Sequence, residues 1–405
     1  MTDHNAAYNF YWHSFFLAVT MTFTELNTVM PALIVQSGGG AVAVGALTAI
    51  MLGLPLAAQF LFAGFIQSRP RKRPYLLLGI NLRVLALAGA ALVLTMQDVP
   101  PEATIALVFI TMAVFAASGS LAGLPYTHLV GSFILGTGRQ SFFVLRQVAT
   151  SAGLLVSAFA TRWILAQIDY PRSYVVLFVA AALFLFVAAL GFWLLPPEPT
   201  ISDFARPQRR TRLAELPAIA LADRNLRSLL TITNLAAPAF TALPLITAMA
   251  MNTFGLDAAY VGRMVILQII GTLLANLLWR TIIRRGGFRA VLGAYVLLLL
   301  LVYILGLTTY LLQFSGLLPI LYLVMGATVG AQKIGVDSVL VQISPADRLA
   351  IYGGIFGAGN IMMAAAPLLA GVLLPVLGYP VLFSILPLLA ITALPVVRHL
   401  RCEAP

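Results

Sequence analysis

Pro196-Pro197-Glu198-Pro199-Thr200-Ile201-Ser202-Asp203-Phe204-Ala205-Arg206-Pro207-Gln208-Arg209-Arg210-Thr211-Arg212 opens the one long polar segment of the chain, which runs on to Arg227. Six apolar stretches precede it, at about 9–35, 41–67, 75–96, 103–126, 141–166 and 174–195. Six follow it, at about 228–252, 258–282, 289–311, 316–338, 350–375 and 378–397. Each approaches the roughly 20 apolar residues that a membrane-spanning helix needs. The composition agrees: of 405 residues 61% are hydrophobic and 9% charged, against about 25% charged in a soluble domain. Mean hydropathy is +0.98. A soluble enzyme, a secreted disulfide scaffold and a disordered tail are excluded, and the single cysteine, Cys402, allows no internal disulfide. The expected fold is an all-α membrane protein of twelve transmembrane helices. Its domains are bundles at 1–196 and 228–405, joined by a linker at 197–227.

The net charge of +11 does not point to nucleic acid, because the basic residues sit in short clusters between spans, where they set orientation. With the N-terminus in the cytoplasm, eighteen of the 24 Lys and Arg fall in cytoplasmic segments and one, Arg172, in an outer loop. Both termini are therefore expected inside. No Lys or Arg precedes Arg69, so the first span lacks the basic flank of a cleaved signal peptide and reads as retained.

The halves repeat. Pro31 corresponds to Pro244, Val44-Gly45 to Val261-Gly262, Gln59 to Asn276, Gly79 to Gly293, Arg139 to Arg348 and Tyr170-Pro171 to Tyr379-Pro380. Six spans per half insert both copies the same way round, as a parallel repeat. The loop between spans 2 and 3 reads Gly64-Phe65-Ile66-Gln67-Ser68-Arg69-Pro70-Arg71-Lys72-Arg73. It resembles the major facilitator pattern Gly-x-x-x-Asp-Arg-x-Gly-Arg-Lys/Arg, keeping Gly64, Arg69, Lys72 and Arg73, with Ser68 for the Asp and Arg71 for the second Gly. The second copy keeps Arg285, Gly287 and Arg289, with Arg284 at the Asp position. Through loop and repeat the chain resembles the major facilitator superfamily over nearly its whole length.

The resemblance implies a secondary transporter in the bacterial inner membrane, with spans 1, 4, 7 and 10 around a central cavity. Arg69, Lys72, Arg73, Arg285 and Arg289 become candidate gate residues, gripping helix C-termini or lipid phosphates. Arg146, near the inner end of span 5, is a further gate or anion-binding candidate, or a plain interfacial anchor.

A charged group at the bilayer centre costs at least about 2.5–3.5 kcal/mol, so intramembrane polar residues are candidates for function. Glu25 lies near the middle of span 1, with Thr22 and Thr28 on its face by i±3 spacing and Asn27 on another. It reads as a proton carrier, as a partner for a cationic substrate, or as a structural carboxyl. Lys333 and Asp337 share a face of span 10 and read as a cavity-lining pair or an intrahelical ion pair. Gln268 and Asn360 are amides for a polar solute or bridges between helices, as are Gln59, Asn234 and Asn276. Arg83 of span 3 reads as structural, snorkelling to the interface. Gly119-x-x-x-Gly123 and Gly326-x-x-x-Gly330 read as close helix packing. Tyr8, Phe10, Tyr11 and Trp12 read as an interfacial belt.

No phosphate-binding loop, His-Glu-x-x-His or Gly-x-Ser-x-Gly occurs in the sequence. The chain is therefore expected to be no enzyme, to use no cofactor or metal, and to draw on an ion or solute gradient. The expected partners are a small-molecule solute, a proton as coupling ion and membrane lipids, with the chain acting as a monomer. Drug efflux by antiport, lipid flipping and a transport-dead receptor remain alternatives. Span 5 lacks a Gly-Pro motif typical of drug-proton antiporters.

The charge asymmetry makes a first prediction. A fluorescent reporter that matures only in the cytoplasm should be active when fused after Pro405, and alkaline phosphatase should be active when inserted beside Arg172. The reverse pattern would invert the topology.

Overall fold

The computed structural model describes residues 4–67, 69–96, 98–134, 139–198, 216–345 and 348–400. Ser68 of the loop motif and most of the central polar segment, with Arg206, Arg209, Arg210 and Arg212, lie outside them. Among the described residues the regular structure is helical throughout. The helices are α1 (His4–Phe23), α2 (Val29–Gln36), α3 (Ala41–Gln67), α4 (Arg73–Thr95), α5 (Pro101–Phe133), α6 (Arg139–Gln167) and α7 (Arg172–Trp193). Beyond the polar segment come α8 (Leu216–Ala222), α9 (Arg224–Thr241), α10 (Pro244–Phe254), α11 (Ala258–Leu311), α12 (Leu318–Ile343), α13 (Leu349–Gly359), α14 (Ile361–Ile391) and α15 (Ala393–His399). Among the described residues nine helical stretches are long and apolar enough to cross a membrane. This is a multi-pass, all-α membrane protein.

Two of those stretches are longer than one crossing. Ala258–Leu311 has 54 residues and Ile351–His399 has 49, and at 1.5 Å per residue a bilayer core needs only about 20. Each turns at a glycine with left-handed backbone: Gly287 at φ 66° and Gly378 at φ 72°. A side chain strains that conformation, so glycine marks the reversal.

Contacts divide the chain into two compact units, one of residues 1–39, 50–207 and 258–262, the other of 40–49, 208–257 and 263–405. In the first, α1 packs on α6 and α7, and α4 on α5 and α7. Small residues set these spacings, since close backbone approach drives helix association in lipid. A Cβ on Gly153 of α6 would stand 2.4 Å from the Phe15 carbonyl of α1. The aromatic stretch of α1 contributes to the core: Phe10 is fully buried and meets Tyr126, Phe133, Phe142 and Phe192. Only Tyr8 of that stretch is strongly exposed, at 65%, so the expected belt is mostly a packing cluster. In the second unit α9 packs on α14, α15 and α12.

The two Gly-x-x-x-Gly segments differ. Gly326 of α12 packs as expected: a Cβ there would lie 1.8 Å from the Gln268 carbonyl of α11. Gly119 of α5 instead faces the Arg83 guanidinium at 3.9 Å, and Gly123 has nothing within 4 Å. That pair leaves open space where close packing was expected.

Gly153→Leu should overfill the α1–α6 contact, costing about 1–3 kcal/mol. In detergent its thermal midpoint should fall clearly below the wild type's. Gly131→Leu, at a glycine with open space around it, should leave the midpoint nearly unchanged.

Candidate functional site

Span 1 is not one helix. α1 ends at Phe23 and α2 begins at Val29, and Glu25 sits in the gap. Its carboxylate accepts from the Asn27 backbone N–H at 2.7 Å, from Asn27 Nδ2 at 3.2 Å and from the Thr28 hydroxyl at 2.7 Å. Its own carbonyl accepts from Met30 N–H at 3.0 Å. The break explains why Asn27 reaches the carboxylate: a continuous helix puts it on another face, whereas the irregular turn folds it back. Glu25 thus works as a local cap of the break.

Asn360 occupies a second interruption, between α13 and α14. Asn234 of α9 spans that gap, accepting from Met362 N–H at 3.1 Å and donating to the Gly359 carbonyl at 2.9 Å. Thr233 donates to Asn360 Oδ1 at 2.5 Å, and Asn360 Nδ2 donates to the Phe356 carbonyl at 2.9 Å. A third interruption separates α9 from α10. There the Tyr303 phenol donates to the Ala239 carbonyl at 2.6 Å, and Pro244, at the start of α10, has no N–H to satisfy.

The remaining candidates are dispersed. Gln268 is buried in α11, and the Thr272 hydroxyl joins its carbonyl to that of Gly326 at 3.0 and 2.9 Å. Lys333 and Asp337 share a face of α12, both exposed. Arg146 hydrogen-bonds the Tyr126 hydroxyl at 3.3 Å and lies over the Phe143 ring. Arg285 and Arg289 are exposed, and Arg289 reaches the Arg398 carbonyl at 3.5 Å.

The loop between α3 and α4 is a built junction. Lys72 is buried, and its Nζ donates to the Ile66 and Arg69 carbonyls at 2.5 Å, so it covers the C-terminal end of α3. Burial pushes the Lys72 ammonium below the ordinary lysine range, and Glu198 opposes that. Arg73 covers the end of α7 through the Leu195 carbonyl at 2.9 Å and the Trp193 carbonyl. The Arg69 guanidinium lies over Phe65 and Tyr75. Glu198, which the sequence did not single out, accepts from the backbone N–H groups of Lys72 at 2.9 Å and Arg73 at 2.6 Å. It caps α4 from the far end of the bundle. A carboxylate adjoining a helix N-terminus is favourable by about 0.3–1 kcal/mol.

A cavity of about 420 Å³ opens among α1, α3, α4 and α5, within the size range of small-molecule sites. Met21, Met51 and Phe115 give it an apolar wall, and Gln59, Ser120 and Arg83 contribute polar groups. Arg83 does not snorkel. Its guanidinium lies 4.1 Å from the Phe115 ring centroid and donates to Met21 Sδ at 3.4 Å. Its buried Nε finds no acceptor among the described residues. The sequence reading gave Arg83 a structural role, and here it lines a cavity within the first unit. Its depth, ten residues into a 23-residue helix, was the available signal.

These helices, breaks and cavity define a polytopic all-α membrane protein with a cavity among its helices. No family model matches the sequence. A variant of the nucleoside transporter NupG aligns with a TM-score of 0.73 at 15% identity, over 98% of this chain and 99% of that one. A POT family transporter in complex with a thioalcohol-conjugated peptide aligns at 0.72 and 13%, over 97% and 94%. A D-xylose-proton symporter aligns at 0.68 and 15%, over 99% and 97%. In sequence, the multidrug resistance protein MdtH of Edwardsiella ictaluri is 33% identical over 181 residues. That match spans 44% of this chain and 40% of the relative. The chain shares its fold with these three transporters.

Asn234→Leu should strand the Met362 N–H and the Gly359 carbonyl. An unsatisfied buried group costs about 1–3 kcal/mol, so the variant should unfold at lower temperature in detergent. Asn234→Gln, which keeps both groups on a longer arm, should lose less.

Proposed function

We propose that the chain is a secondary active transporter that moves a small solute by alternating access. The observation that carries this reading is the break in span 1. Transporters bind solute near the midplane on discontinuous helices whose freed backbone groups are satisfied locally, and Glu25 supplies such a break here. The major facilitator fold supports it. Counting each glycine-reversed stretch as two crossings, and α1–α2 as one, gives twelve spans. Two six-span bundles, 1–196 and 228–405, rock about the linker at 197–227, with both termini in the cytoplasm of a bacterial cell. The chain acts as a monomer among membrane lipids and is no enzyme.

The coupling ion is the proton and Glu25 carries it. Protonation removes an acceptor from the Asn27 and Thr28 donors, so the charge state of one carboxyl loosens or tightens the joint between α1 and α2. A ligand or proton moves an equilibrium only by its differential interaction with the two states, and this cap provides one. Asn27, Lys333, Asp337, Gln268 and Asn360 are further intramembrane polar groups along the solute path. Arg69, Lys72, Arg73, Arg146, Arg285 and Arg289 hold the cytoplasmic helix ends. Efflux is the second reading, favoured by the similarity to MdtH over 181 residues.

The test is uptake into proteoliposomes of solutes selected by thermal-shift screening, with and without an imposed pH gradient. Glu25→Gln should retain solute counterflow and lose gradient-driven accumulation at least tenfold. Gradient-driven accumulation at the wild-type level in Glu25→Gln would remove the proton from Glu25.

A further inference from the structure

We infer that the cavity among α1, α3, α4 and α5 binds an organic anion, with Arg83 receiving its acidic group and Phe115, Met21 and Met51 its apolar body; this deepens the transport reading and rests on it. Arg83 stands about 15 Å from either end of α4 at 1.5 Å per residue, farther than its side chain extends. It therefore keeps its charge at mid-membrane depth, where such a charge costs at least about 2.5–3.5 kcal/mol. Glu25, Asn234 and Asn360 meet hydrogen-bond demands of the backbone at helix breaks, whereas the buried Arg83 Nε has no acceptor among the described residues.

A guanidinium carries five N–H donors in a planar fork suited to a carboxylate, sulfonate or phosphate. Its acceptor here is a thioether at 3.4 Å, a weak one. The Phe115 ring face fixes the plane of the fork and offsets part of the burial cost. Among the described lining residues Arg83 is the one charged group. The space in front of the fork is kept open by Gly119, where a Cβ would only just touch Cζ and Nε at 3.9 Å, and by Gly123 one turn on. Gln59 and Ser120 stand in the same cavity as further donors, although the Ser120 hydroxyl already donates to the Pro55 carbonyl at 2.7 Å. Lipid headgroups lie at the bilayer surface, on the order of 15 Å from this depth, so the anion comes from water.

The test is binding by the purified full chain in detergent, measured calorimetrically with benzoate, benzenesulfonate and phenyl phosphate. Benzamide serves as the neutral analogue and benzamidine as the cationic one. At least one anion should bind tenfold or more tightly than benzamide, and benzamidine should not bind. Arg83→Gln should remove the anion preference, and Arg83→Lys should keep part of it. Gly119→Leu, which retains the charge and fills the space before it, should weaken the anion at least tenfold, so the outcome does not hang on the folding of one variant. Equal affinity for benzoate and benzamide, no binding by any of the three anions, or unchanged anion affinity in Arg83→Gln and Gly119→Leu would each overturn the site. Anion binding without uptake into proteoliposomes would overturn the transport reading alone. Uptake of neutral and anionic probes alike would overturn the anion site alone.

Discussion

Hydrocarbon offers no partner to a backbone amide or carbonyl, and each one left unpaired there costs several kcal/mol. Every interruption of a span must therefore bring its own partners. Among the described residues three such interruptions, in span 1, between α9 and α10 and between α13 and α14, are closed by side chains or by the absence of a donor. Glu25 closes the first with its carboxylate and its own carbonyl. Asn234 closes the gap between α13 and α14 by accepting on one side and donating on the other. Tyr303 takes an end carbonyl of α9, and Pro244 starts α10 without an amide hydrogen.

That constraint reorganises the meaning of the polar residues. Glu25, Asn27, Asn234 and Asn360 all stand out in an apolar sequence as groups awaiting a ligand, yet each is engaged by the backbone at a break. The engagement gives two of them a different kind of consequence. A residue that only lines a cavity changes affinity when altered. A residue that closes a helix break also changes how two helical segments join, so its charge or geometry is felt along the span. The junction between α3 and α4 follows the same logic. Lys72 and Arg73 cover carbonyl ends, and Glu198 covers the amide end of α4 where the loop motif has Ser68 for the Asp.

The spans were legible because apolar run length is a one-dimensional property, and α3, α4 and α6 run within a few residues of where hydropathy places them. The reversals at Gly287 and Gly378 were legible as short connections. The breaks were not. A helical wheel assumes 3.6 residues per turn throughout, and at Glu25 that assumption put Asn27 on the wrong face. Gly119-x-x-x-Gly123 shows a second limit. Small spacing permits close approach but does not demand it, and only the position of Arg83 decides that this pair leaves room instead. The exposed pair Lys333 and Asp337 was placed correctly on one face, and that is all the spacing could say.

Arg83 carries the argument furthest because the backbone constraint does not account for it. Its neighbours do not neutralise it, its depth forbids escape to the interface, and the segment facing it spends two glycines on empty space. A methionine or leucine at this position would pack against Phe115 with no charge to desolvate. The cost of the guanidinium is thus borne in every molecule, loaded or empty, and is recovered only when an acceptor enters the cavity. A charge held in that way has part of its desolvation already borne before the ligand arrives. Preorganisation of this kind favours selection by charge sign over selection by shape. It suits a cavity whose other walls are thioethers and one aromatic ring, soft surfaces that accept many apolar bodies.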